Sequence, residues 1–307
     1  TNITIQFSSG SLTPATSGTI AVGPGPFSQL QVLLPGETTT PGVAPGKTGT
    51  PAGQATGMGY AVTVNAVDAD YNLINTNDTV HIISSDPYAG LPADGALVGG
   101  TMTLTVTNRT VGSWTVTASD VTDPGIAPDT SSAVAVGVGA FVKLQLLLPG
   151  ETAAPGTASG KTGTPTAQTA GTVYSATVNA VDDNWNLIDI NDTVAISSSD
   201  ANASLPANAA LSGGTGSFSL TNKTAGSWTV TAADVTQAGI TASTSSAFAV
   251  NQSARATCRV RVPGSVDVPA CFGVGFARGS VAAAPPCTSP ALLFAPTCST
   301  CASGLVA

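Results

Sequence analysis

Asp68-x-Asp70-x-Asn72 sets three oxygen-bearing side chains at alternate positions, and Asp182-x-Asn184-x-Asn186 does so again 114 residues on. Oxygens spaced this way in a tight turn can converge on a hard cation such as Ca²⁺, with Asp78 and Asp192 as further carboxylate candidates. A full calcium loop also needs a glycine and a distal bidentate glutamate, and both are missing. Asp and Asn equally favour hairpin turns, because they bond their own backbone. The six residues are therefore candidate Ca²⁺ ligands and candidate turn residues, and the sequence requires no other cofactor.

The remaining motifs carry less chemistry. PGVAPGKT (41–48) and PGTASGKT (155–162) approach a phosphate loop, but proline stands where its first glycine belongs. No helix follows to aim backbone N–H groups at a phosphate, so both read as Pro/Gly-punctuated loops. The 35–58 stretch is long enough to need a structural reason, and packing against a neighbouring domain or subunit is the expectation. His81 is the single histidine and is replaced by Ala195 in the matching position, so it reads as a strand-face residue. One histidine assembles no nucleophile–base set, and no carboxylate pair stands out by its spacing, so the chain reads as non-enzymatic. Thr101, Thr103, Thr105 and Thr107 form a ladder that resembles an ice-binding array but equally suits an ordinary wet strand face. Cys258, Cys271, Cys287, Cys298 and Cys301 all lie in the last part of the chain, an odd number whose pairing the sequence leaves open.

Composition removes several function classes. Nine basic residues against 17 acidic ones give a net charge of −8, which argues against nucleic acid as a partner. No apolar run is long enough to span a membrane as a helix. Alanine apart, strong helix formers are scarce, while Gly (34) and Pro (21) punctuate the chain, so strands are expected throughout.

The elements that must hold these residues come in duplicate. FSQLQVLLPGET (27–38) returns as FVKLQLLLPGET (141–152), VNAVDADYNLINTNDTV (64–80) as VNAVDDNWNLIDINDTV (178–194), and GSWTVTASDVT (112–122) as GSWTVTAADVT (226–236). The offset is 114 each time, which marks a duplicated domain. Within each copy the apolar period is two: Val62, Val64 and Ala66 alternate with Thr63 and Asn65, and Trp114, Val116 and Ala118 with Ser113, Thr115 and Thr117. Leu30, Val32 and Leu34 likewise alternate with Gln29 and Gln31, which predicts one buried and one wet face. About seven such strands in about 110 residues indicate an all-β, Greek-key sandwich, with one inward tryptophan per copy.

The run LLPGET…GKTGTP…VNAVDDNWNLI…NDTV…GSWTVTAADVT resembles the tandem Ig-like repeats of large bacterial surface proteins and adhesins. That resemblance implies an extracellular or cell-surface, non-enzymatic spacer or adhesive protein. It leaves open a host or cell-surface glycan or protein as ligand. The four expected divisions are terminal strands of a partial repeat (1–26), two whole Ig-like domains (27–140 and 141–254), and the start of a degenerate partial repeat with a cysteine-rich tail (255–307). A gapless register sets LTPATSGTIAV (12–22) against IAPDTSSAVAV (126–136) and puts Thr1 just after the Trp114 position.

The link between whole domains is short, so a stiff rod is expected. Residues 1–254 carry 5 basic and 16 acidic groups, and 255–307 carry 4 and 1. Incomplete end segments, and an acidic 1–254 set against a basic 255–307, predict head-to-tail self-assembly of copies through 1–26 and 255–307, by strand complementation. The alternative is a piece of a long cell-surface adhesin whose repeats act as spacers or ligand-binding modules.

Overall fold

The structure, a computed structural model, describes residues 2–253. The cysteine-bearing 255–307 segment, with its expected degenerate repeat, lies outside the described residues. Among those described there are strands and turns but no helix. No helix among them is long and apolar enough to cross a membrane.

In the first repeat, Gly59–Val67 lies between Gln29–Leu33 and Thr101–Thr107, antiparallel to both. A second sheet runs in the order Gly95–Ala96, Thr79–Ser84, Val116–Asp120, Asp129–Thr130. A third, short sheet pairs Gly112–Trp114 with Val134–Gly137, which in turn takes Gln54–Ala55 as a parallel partner. The alternating residues of these strands meet in one core of Leu30, Val32, Val62, Val64, Val80, Ile82, Val116, Ala118, Val134 and Val136, among others. Trp114 packs against that core and donates its indole N–H to the Thr110 carbonyl at 2.8 Å. The second repeat builds the same three sheets and a separate core from residues 144–250, with Phe248 in place of Val134 and edge-on to Tyr174.

One predicted wet face is dry. Gln31 is 1% exposed and Leu33 8%, so Gln29–Leu33 is covered on both sides. The cover is the long 35–58 loop, which folds back over its own sheet as a small hairpin, Glu37–Thr39 against Lys47–Gly49. The Gln31 amide donates to the Gly46 carbonyl at 2.8 Å, and Lys47 Nζ to the Val32 carbonyl at 2.9 Å. Lys161 repeats this on Leu146 and stands 2.7 Å from Glu151. The phosphate-loop-like lysines thus serve their own sheet. His81 lies on Thr79–Ser84 with Nδ1 2.6 Å from Asp94.

Residues 2–22 form two short antiparallel pairs, Asn2–Ile3 with Ile20–Ala21 and Gln6–Phe7 with Ala15–Thr16. They copy the closing strands of a repeat: Ile3 faces Ile20 as Trp114 faces Val134, and Phe7 faces Ala15 as Ala118 faces Asp129. The Ile5 N–H donates to Ser17 Oγ as the Val116 N–H does to Ser131 Oγ. The gapless register is corrected here. The turn after Phe7 is three residues shorter than that after Ala118, so Ile3, not a residue before Thr1, holds the Trp114 position.

Candidate functional site at the repeat junction

Asp68 and Asp182 are 3% and 1% exposed, and each closes a turn on itself. Asp68 Oδ1 accepts from the backbone N–H groups of Asp70 (2.9 Å) and Asn72 (2.8 Å). The Asn72 amide donates to both carboxylate oxygens, and the Gly25 N–H donates to Oδ2 at 2.7 Å. Asp182 repeats the pattern with Asn184 and Asn186, and takes the Gly139 N–H at 3.0 Å. Burial works against the charge on Asp68, but the donated hydrogens of Gly25, Asn72 and Asp70 outweigh it and hold the group below the usual carboxylate range.

These turns force Tyr71 and Trp185 to φ of 63° and 69°, left-handed values that cost a bulky residue roughly 1–2 kcal/mol. The rings press against Gly46 and Gly160, where any Cβ would overlap them. Lys143 Nζ sits 3.6 Å from the Trp185 ring centroid. Beside Tyr71, a groove of about 240 Å³ is lined by Gln31, Asn65 and Thr101, whose polar atoms already bond one another.

Around each buried carboxylate the neighbours are N–H and O–H donors, which present positive ends rather than a cage of oxygens. Asp70 and Asn184 contribute backbone N–H groups to the turn. Asp78 accepts from Thr76 and Asp192 from Gln237. No group of three or more His, Cys, Asp or Glu among the described residues is placed to hold a metal.

What the Asp182 turn does hold is the other repeat. Thr56 Oγ1 of the first repeat donates to Asp182 Oδ2. Asn186 Oδ1 accepts the Val111 N–H at 3.1 Å, and its amide donates to the Arg109 carbonyl at 2.9 Å. Gly57 abuts the Asn184 amide, and Gly156 fits against Tyr88 and Thr110 so closely that a Cβ would collide with both. The long loop of the second repeat therefore does contact the neighbouring domain, at Gly156.

A polar hub stands behind these loops and was not singled out from the sequence. Asp86 accepts from the N–H groups of Tyr88, Arg109 and Thr110, the Thr110 hydroxyl and the Asn108 amide. The Asn108 oxygen takes the Tyr60 hydroxyl at 2.7 Å. Asp200, Asn222 and Tyr174 repeat the arrangement. Despite burial, the donated hydrogens bring Asp200 down to about 2 and lower Asp86 as well. Burial, with the Asp86 and Asp200 charges adding to it, pushes Tyr60 and Tyr174 up to about 12. Asn108 and Asn222 begin Asn-x-Thr glycosylation sequences, yet both are 0% exposed and fully engaged here. The visible signal was SSD and N-x-T recurring in both copies at fixed spacing.

Two facing antiparallel sheets around one core, closed by the short third sheet, define each repeat as an Ig-like β-sandwich. Among solved structures the chain is similar to the D00–D0 domains of intimin, at 14% identity and a TM-score of 0.35 over 72% of this chain and 98% of that one. It is also similar to the Escherichia coli adhesin FdeC, at 15% identity and 0.33 over 78% and 69%. A β-glycosidase from Bacteroides vulgatus matches at 13% and 0.29, over 74% of this chain and 25% of that one. No protein-family model and no curated protein sequence matches the chain.

Proposed function

We propose that the protein is a non-enzymatic, extracellular structural protein in which Ig-like repeats stack into a stiff surface filament or stalk. The observation that carries this reading is the joint between the repeats. Three hydrogen bonds at Asp182 and Asn186, from Thr56 and Val111 and to Arg109, tie two domains on either side of a short link, and a fourth from Gly139 holds the link itself. Pivoting breaks several of them together, so the joint resists bending and length is gained by adding copies. In the fuller form of this reading, copies associate head to tail through residues 1–26 and 255–307. Electron microscopy of native material, with its intact mass, tests it. Unbranched fibres built from subunits of this length are expected, and soluble particles that never elongate at high concentration would refute assembly.

A second reading has its own support. The Asp68–Asn72 turn has the makeup of the Asp182–Asn186 turn, as a repeat inside a longer adhesin would. An intact native chain several times longer is the result that favours it.

A further inference from the structure

The apolar side chains on one face of the 2–22 pairs occupy places that the complete repeats bury. By pairing, Ile3, Ile5 and Phe7 stand where Trp114, Val116 and Ala118 stand, and Ile20 where Val134 stands. Val116, Ala118 and Val134 are 0% exposed, whereas Ile5, Phe7 and Ile20 are 46%, 68% and 40% exposed. In the complete repeat those places are covered by Thr79–Ser84, which pairs with Val116–Asp120, by the sheet facing them, and by Gln54–Ala55, which pairs with Val134–Gly137. All of these strands come from residues 27–111.

The same stretch carries Thr56, Tyr88, Arg109 and Val111, which cover the Asp182–Asn186 turn and Gly156. Among the described residues, the matching surface at the first repeat has only the Gly25 N–H, the counterpart of Gly139. Gly42, the counterpart of Gly156, has no atom within 4 Å of where a Cβ would stand. One object therefore fits two uncovered surfaces at once.

We infer that the 2–22 pairs and the Asp68–Asn72 turn together form a docking site for the front strands of a further repeat of this kind, equivalent to residues 27–111. Those strands lay an apolar sheet on Ile3, Ile5, Phe7 and Ile20. They pair with Gln6–Phe7 as Thr79–Ser84 pairs with Val116–Asp120. Their Thr56-like and Val111-like groups then donate to Asp68 and Asn72. This rests on reading the repeats as self-stacking modules and adds which part of a further repeat meets the first one, a part that within this chain's own first repeat is already closed by its last strands.

The test follows from the register, in which Thr1 takes the Gly112 position. The full chain is extended by a copy of residues 27–111 joined directly to Thr1, and amide hydrogen exchange is compared with the unextended chain. Exchange at Ile5 and Ser17 is expected to slow by about 100-fold or more, and Phe7→Asp in the extended chain to abolish the gain. A second extension made from residues 141–225 guards against a front segment that fails to fold. Unchanged exchange across 2–22 in both extended chains overturns the inference. Absence of native filaments with 2–22 protected in the extended chain overturns only self-assembly. Filaments with 2–22 unprotected overturn only this site.

Discussion

The turns at Asp68 and Asp182 share a sequence pattern, an internal hydrogen-bond set and a left-handed aromatic residue, yet they differ in what surrounds them. Asn186 is 4% exposed because the Arg109 carbonyl and the Val111 N–H close over it, while Asn72 is half-buried and, among the described residues, bonds only within its own turn. The turn is therefore complete before any partner arrives. Docking adds bonds to a surface that is already shaped, so little ordering cost opposes it.

The hub supplies the strongest way to break the equivalence of the two repeats. Asp200→Ala removes the acceptor for the part-buried Asn202, Lys223 and Thr224 N–H groups and for the buried Asn222 amide. A loss of about 3 kcal/mol or more is expected in the second repeat, with the first unaffected, read by urea unfolding followed at Trp228 and Trp114.

Acid should show the same hub from another side. Asp200, Asp86 and Asp68 have lowered pKa values in the folded state. Their stabilisation is thus full above the ordinary Asp value of about 3.9 and is lost as pH falls toward about 2, where Asp200 titrates. Midpoints of unfolding measured from pH 5 to pH 2 should fall steadily, and an Asp86→Asn, Asp200→Asn double variant should flatten the slope.

The junction itself is sharpened by a matched pair. Asn186→Ala should cost about 1–2 kcal/mol and loosen the joint, because two inter-repeat bonds go with it. Asn72→Ala should cost less and leave the joint untouched. Distance distributions between labels in the two repeats separate the outcomes, and equal broadening by both variants would contradict the role given to Asn186. Thr56→Ala is the milder perturbation, at about 1 kcal/mol. Millimolar Ca²⁺ or its removal by a chelator should leave the melting transition in place, since donors already fill the carboxylates of both turns. A clear upward shift with Ca²⁺ would instead make the six Asp and Asn residues ligands.

Much of the architecture is legible in the residues alone. The 114-residue offset and the period-two runs at 60–67 and 112–119 lead directly to the sheets they form. The dry second face of Gln29–Leu33 is not legible, because what dries it is a Pro/Gly-rich loop whose return path leaves no periodic trace. The joint is less legible still. Thr56 and Asp182 are 126 residues apart, and the pattern around Asp182 is satisfied locally by turn chemistry, so nothing nearby betrays the second task. The hub lies between these cases. Its residues recur in both copies, but three of the five donors to Asp86 are backbone N–H groups, which carry no side-chain signature.

Thr56 has a consequence for load. Its counterpart in the second repeat is Ala170, so a turn of the Asp182 type seated there meets a methyl group in place of a hydroxyl. Pulled end to end, a string of these modules would not stretch uniformly. The link behind an alanine would part at a lower force than the link behind a threonine, and one missing hydroxyl would set the order in which the string gives way.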